Sequence, residues 1–222
     1  CVWIIPRPDL WRYNSMMNPG SRLRSLPIFF LALVSSTVIR THADTIQIDL
    51  PKLAPSALPL SMFRVPAGSF TMIRGTEKIH ITLTHDFYLS QYEITQAQWE
   101  TVMGFNPCRF VDDPNHPVEM VSWYDCLEFV ERINQIGLDK FRLSTVAEWI
   151  YAAQAGTETT YYWGNREDFA TKDQYEWWQG NHNYFTCPVG LKLSNPWGFF
   201  DMGGNVGELC IDHFPYIPPI RN

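Results

Sequence analysis

Beyond the N-terminal region, the side chains with the most reactive chemistry are four cysteines, Cys108, Cys126, Cys187 and Cys210. None sits in a Cys-x-x-Cys pair, so neither a redox dithiol nor a zinc knuckle is written in the spacing. Cys210 and His213 have the form of half a zinc site, but no second half with suitable spacing accompanies them. In an oxidising compartment the four thiols allow up to two disulfides, in three connectivities. The other reading of Cys108, Cys126 and Cys187 is a small buried hydrophobe. The second candidate is Asp201 and Glu208, which flank Gly203-Gly204. On spacing alone these are two surface carboxylates beside a flexible turn, because this is not the ligand pattern of an EF-hand loop.

Such groups need a framework, and the composition supplies a globular one. Hydrophobic residues make up 45% of the 222 and charged residues 18%, which separates the chain from disordered sequences. Nine Trp, ten Tyr and fourteen Phe can hold a loop-rich chain together, since each ring buries a large apolar area. A net charge of −6 without any Lys/Arg cluster argues against nucleic acid as a partner. Near the N-terminus, Arg22 and Arg24 precede the apolar run Leu26–Val34, and the small residue Ala43 stands before Asp44. This is the pattern of a secretory signal starting at Met16 or Met17, with residues 1–15 as upstream sequence without a fold. The run is too short for a stable membrane span. Export to the periplasm or the medium is the implied localisation. The division expected is 1–43 upstream and signal residues, 44–62 linker, and 63–222 a single domain.

Within that domain, alternating apolar residues around Pro66-Ala67-Gly68 predict a hairpin, and Ile79–Leu83 and Phe87–Leu89 predict two more short strands. Three helix starts follow. Thr95 with Gln98 and Thr145 with Glu148 match the capping box, and Ser122 with Asp125 is a looser version. Gly104, Gly137 and Gly156 stand where helices should stop. Trp123, Leu127, Val130 and Ile133 are spaced to form the apolar face of the middle helix. From Thr157 onward the chain reads as turns and aromatic residues. Short strands, then helices, then aromatic loops predict an α+β domain.

Six collinear segments carry a family resemblance. Phe87-Tyr88-Leu89-Ser90-Gln91-Tyr92-Glu93-Ile94-Thr95 with Gln98-Trp99, Pro117-Val118 with Val121-Ser122-Trp123, and Arg142-Leu143-Ser144-Thr145 with Glu148-Trp149 come first. Tyr162-Trp163-Gly164, Pro188-Val189-Gly190 and Asp201-Met202-Gly203-Gly204-Asn205-Val206-Gly207-Glu208 complete the set. From about Phe63 to His213 the chain resembles the formylglycine-generating, sulfatase-modifying-factor domain. The resemblance implies a compact, C-type-lectin-like α+β fold with little regular structure and about three helices. It also implies a family activity, the copper-dependent oxidation of a sulfatase cysteine to formylglycine by a pair of cysteines.

Matched to the family's D-M-S-G-N-V-W-E turn, Asp201 and Glu208 by side chain and Gly204 and Val206 by carbonyl would bind a structural calcium ion. Two carboxylates and two carbonyls suit a hard cation wanting six to eight oxygens. Gly207 and Leu209 stand where the family has tryptophans, which weakens the packing expected of that loop. A second family calcium site near Asn181 matches too loosely to assign. The copper cysteines lie beyond the Glu208 position in catalytic members, in a segment expected to be missing here. Copper is therefore not expected, and no catalytic residue is assigned. The resemblance implies a non-catalytic exported module with a protein or peptide partner, or a truncated oxidase acting on sulfatase cysteines.

Overall fold

The fold rests on three helices that begin with reciprocal hydrogen bonds at Thr95, Ser122 and Thr145. A computed structural model describes residues 45–137, 140–165 and 168–212, together with the backbone of 3–6 and 38–42. Helices α1 (Gln96–Met103), α2 (Trp123–Gln135) and α3 (Val146–Gln154) each show both halves of the capping box. In each, the hydroxyl accepts from the third residue's amide while that residue's side chain accepts from the cap amide, so two orphan N–H groups are satisfied. Gly104 closes α1 in the left-handed region, as expected. The left-handed residue that closes α3 is Ala155, one position before Gly156, and α2 caps at Ile136 with Gly137 just beyond.

Among the described residues eight strands accompany the helices: β1 (Trp3–Pro6), β2 (Val38–His42), β3 (Thr45–Ile48), β4 (Leu60–Val65), β5 (Gly68–Arg74), β6 (Glu77–Leu83), β7 (Phe87–Ser90) and β8 (Arg142–Leu143). Six of them form a sheet in the order β2-β3-β4-β7-β1-β8, with antiparallel neighbours throughout. Strands β5 and β6 form a separate hairpin whose two-residue turn is opened by Gly75 at φ 60°. The hairpin expected around Pro66-Ala67-Gly68 does not form. Strand β4 pairs with β3 and β7 instead, and the Pro-Ala turn passes the chain from one sheet to the other. Segments expected to lie outside the domain also enter the sheet. The backbone of Trp3–Pro6 pairs with β7 and β8, that of Val38–His42 pairs with β3, and Leu60–Met62 belong to β4. The remainder of the signal segment lies outside the described residues.

Alternation along β4 sends its buried side chains to both faces of the sheet. Leu60 and Met62 join one cluster with Trp99, Met103, Phe129 and Ile133 of α1 and α2. Phe63 and Val65 join a second with Leu89, Tyr151, Ala152 and Phe199. Each sheet face is thus covered by helices or aromatic loops, as a sheet buried on both sides requires. Trp99 and Phe129 stack at 5.0 Å in the first cluster. The face that α2 buries is Cys126, Phe129 and Ile133, while Leu127, Val130 and Trp123 lie at its margin.

The structure is a mixed α+β fold, and the expected C-type-lectin-like form with about three helices is overturned. Among the described residues there are five helices, with α4 (Phe169–Tyr175) and α5 (Gln179–His182) added to the three anticipated. The larger sheet is open, ending in β2 on one side and β8 on the other, and does not curl on itself. Cys108, Cys187 and Cys210 are free thiols, and Cys126 is disulfide-bonded and fully buried, so none of the four pairs with another as a lectin framework would need.

Candidate functional site

The Asp201–Glu208 turn is organised by Asn205. Its backbone sits at φ 63° and that of Asp201 at φ 56°, a left-handed region that Asn and Asp enter more readily than other side chains. The Asn205 N–H donates to the Trp177 carbonyl at 2.9 Å. Its side-chain oxygen accepts the Cys187 N–H at 3.0 Å, and its side-chain nitrogen donates both to the Cys187 carbonyl at 3.0 Å and to Glu93 Oε2 at 2.8 Å. Gly204 is required where it stands, because a methyl there would collide with the Trp177 carbonyl.

Three carboxyls gather around this turn. Glu93, which precedes α1 in sequence, is buried and accepts the Val206 N–H on Oε1 at 3.1 Å. Asp201 is buried too; its Oδ2 accepts the Gly190 N–H at 2.7 Å, while Oδ1 is buried without a hydrogen-bond partner. Glu208 Oε2 accepts the Trp149 indole N–H at 3.0 Å. Burial raises all three carboxyl pKa values, and repulsion from neighbouring carboxylates adds to it for Glu93 and Glu208. Asp201 reaches about 6, with the Gly190 N–H and Lys192 opposing, and Glu208 about 7, with the Trp149 bond opposing. Glu93 is pushed well up, first by burial and then by the charges of Glu208 and Asp201. Chemically, such a cluster can hold protons near neutral pH or receive a cation.

The expected ligand residues therefore lie on one turn, with Asp201 near enough for its charge to raise the Glu208 carboxyl. The donor types fit calcium, and Asp201 Oδ1 is a buried oxygen in want of a partner. Among the described residues, however, no three His, Cys, Asp or Glu side chains gather as a metal-binding group. The expected set has only two carboxylates, and its other two donors are carbonyls. Gly207 faces open space, and Leu209 packs at the edge of the first core cluster. Asn181, near the second family site, is occupied in helix capping: its side-chain oxygen accepts the Trp178 N–H, and its nitrogen donates to Asp173 and to the Glu176 carbonyl.

Among the described residues the three free thiols have different neighbours. Cys108 Sγ accepts the Glu119 N–H at 3.2 Å, and burial pushes its pKa up to about 11. Cys210 Sγ lies 3.6 Å from Ser144 Oγ, and Cys187 flanks Asn205 through its backbone. Burial raises both of these thiols as well. His213 lies outside the described residues. Glu93 and Asn205 carry no assignment from the sequence. The available signal is the Gly204-Asn205 pair itself, since an Asn after Gly invites a left-handed turn, but nothing local links it to Glu93.

The family model described as "Sulfatase-modifying factor enzyme 1-like domain" matches residues 49–218. The chain is 30% identical over 196 residues to the "Chaperone protein LppX" of Paenibacillus barcinonensis, covering 66% of this chain and 69% of that protein. It is 35% identical over 112 residues to the formylglycine-generating enzyme of Mycobacterium tuberculosis, covering 46% of this chain and 36% of the enzyme. The enzyme of Thermomonospora curvata is 33% identical over 126 residues, covering 52% of this chain and 39% of the enzyme. The chain thus spans little more than a third of these enzymes. Among solved structures, Treponema denticola variable protein 1 superposes with a TM-score of 0.65 at 22% identity, over 75% of this chain and 76% of that one. PvdO from Pseudomonas aeruginosa gives 0.60 at 23%, over 69% and 71%. At these identities the two structures show a shared fold.

Proposed function

The chain belongs to the sulfatase-modifying factor enzyme 1-like family, and from that premise we propose that it acts as an exported protein-binding module whose described residues do not oxidise cysteine. The observation that carries this reading is that the three free thiols have different neighbours, with burial raising the pKa of each. A Cu(I) site requires two neighbouring thiolates. Cys108, Cys187 and Cys210 instead have separate surroundings and raised pKa values. The match to a protein named as a chaperone, over 69% of its length, supports a role in binding another protein. Export is supported by Arg22 and Arg24 before the apolar run Leu26–Val34. Among the described residues no helix is long and apolar enough to cross a membrane.

In this reading calcium holds the turn, through Asp201 and Glu208 side chains and the carbonyls of Gly204 and Val206. When bound, the ion would supply positive charge against the mutually repelling carboxyls. The orphaned Asp201 Oδ1 supports this assignment.

The formylglycine-generating enzymes at 33% and 35% identity favour a second reading, a cysteine oxidase acting on sulfatases. One experiment separates the two. The chain is incubated with a Cys-x-Pro-x-Arg peptide, copper and oxygen, and aldehyde is trapped as a hydrazone. An unmodified peptide is the expected result; hydrazone formation establishes the oxidase reading. The binding role is tested by cross-linking in exporting cells, where a discrete protein adduct is expected and monomer alone counts against it.

A further inference from the structure

One cavity lies apart from the thiols and beside the glycine turn. It measures about 280 Å³, and its lining includes Trp149, Tyr162, Trp163, Glu176, Met202 and Gly203. The polar edges of two of its rings are already used. The Trp149 indole N–H donates to Glu208 and the Tyr162 hydroxyl donates to the Tyr175 carbonyl at 3.1 Å, so these rings bring carbon surface to the cavity. Tyr162 meets Trp163 edge to face at 4.7 Å, and Trp163 stacks on Tyr175 at 5.3 Å. Packed aromatic rings thus form one part of the wall, and Gln154, Thr159 and Thr160 bring polar groups to another.

Into this aromatic lining Glu176 brings a carboxylate. It is 7% exposed, and the cation paired with it, Lys172, stands 3.5 Å from Oε2, beyond a strong charged hydrogen bond. The Lys172 ammonium is shared with the Trp178 ring, 4.7 Å away. The other oxygen, Oε1, lies beside Gly203, where any Cβ would collide with it. The missing side chain at Gly203 is what leaves the carboxylate room. A buried carboxylate so weakly compensated favours a cation, and aromatic walls favour one that carries its charge on carbon-rich groups.

We propose that this cavity binds an organic cation, an alkylammonium group whose charge meets Glu176 and whose carbon atoms lie against Trp149, Tyr162 and Trp163. A small cavity that sets aromatic rings beside Gln154, Thr159 and Thr160, with Glu176 as its one carboxylate, has the general make-up of a ligand site. A bare metal ion would find one carboxylate in this lining, and a neutral ligand of the same shape would leave Glu176 with only its 3.5 Å pair to Lys172. The inference needs no protein partner and stands apart from the binding-module reading.

Tryptophan fluorescence of the full chain tests it, with choline as probe and 3,3-dimethyl-1-butanol as its uncharged isostere. Saturable choline binding is expected, with the isostere about tenfold weaker or worse, as loss of a desolvated cation–aromatic and charge contact implies. Glu176→Gln should weaken choline by a similar factor with an unchanged far-UV spectrum. Gly203→Ser, which displaces the carboxylate without removing it, should do the same and serves if the first variant fails to fold. Nα-acetyl-lysine methylamide forms a second arm: tighter binding than choline assigns the site to a protein side chain, and weaker binding to a free small cation. Equal binding of choline and the isostere, no saturable choline binding, or unaltered affinity in both variants would overturn the proposal.

Discussion

The side-chain nitrogen of Asn205 donates to Glu93 Oε2 at 2.8 Å, tying together residues 112 positions apart. Glu93 returns the contact by accepting the Val206 N–H, and Asn205 brackets the Cys187 peptide group from both sides. The approach to α1, the loop at Cys187 and the glycine turn are therefore one hydrogen-bonded unit. Glu93 is a core element of that unit as much as any apolar residue.

Asn205→Ala removes the side-chain bonds and leaves at φ 63° a residue that enters the left-handed region less readily than Asn. Stability should fall by about 2–4 kcal/mol, read as a lower urea midpoint with an unchanged m-value. Asn205→Gly restores the backbone freedom but not the bonds, and should recover about 1 kcal/mol of the loss. A change within about 0.5 kcal/mol in the alanine variant would mean that other contacts hold the turn.

The raised carboxyls set a pH dependence with a definite sign. Asp201 at about 6 and Glu208 at about 7, with Glu93 displaced in the same direction, keep protons in the folded state that the unfolded chain releases near its ordinary value of about 4. Their contribution is most favourable at low pH and declines as pH rises from about 4 through about 7. Asp125 and Glu148, whose carboxyls are lowered, lose their contributions only below that window. In chelator the melting midpoint should therefore drop between about pH 5 and about pH 7.5. Added calcium should raise it more at the higher pH than at the lower, because the ion requires ionised ligands. A calcium-independent midpoint at the higher pH would remove calcium from the turn.

Helix starts are legible in the sequence because a capping box is complete within four residues, as at Thr95 and Thr145. Much else depends on distant partners. Spacing alone puts Leu127 and Val130 on the apolar face of α2, but the position of β4 and α1 selects Cys126, Phe129 and Ile133. The turn at Pro66-Ala67-Gly68 has the alternation of a hairpin around it, yet its two strands pair with others. Helices α4 and α5 span seven and four residues and bury none, so they carry no periodic signal. The carboxylates of the turn are visible as a motif, but Glu93 and Glu176 reach it only through the fold.

The buried face of α2 gives a direct contrast. Phe129 is fully buried and stacked on Trp99, whereas Val130 packs at the edge of the same cluster. Phe129→Ala should cost about 3–5 kcal/mol and Val130→Ala about 1 kcal/mol or less, measured by urea unfolding. The reverse order would place the helix on the face read from sequence alone.

Thiol chemistry provides a test that does not depend on any partner. The Cys108 sulfur accepts the Glu119 N–H and lies 3.5 Å from the Glu119 carbonyl, and burial raises its pKa to about 11. At neutral pH such a thiol is ionised to about one part in ten thousand, against a few per cent for a free cysteine. Alkylation by iodoacetamide should therefore run about a hundredfold slower than for free cysteine, with a rate still climbing above about pH 9. Cys187 and Cys210, raised in the same direction, should also lag. Peptide mapping after timed labelling assigns each rate. A cysteine among these three that labels rapidly at neutral pH in the folded chain would reveal a stabilised thiolate, which copper oxidation chemistry requires and burial opposes at each of them.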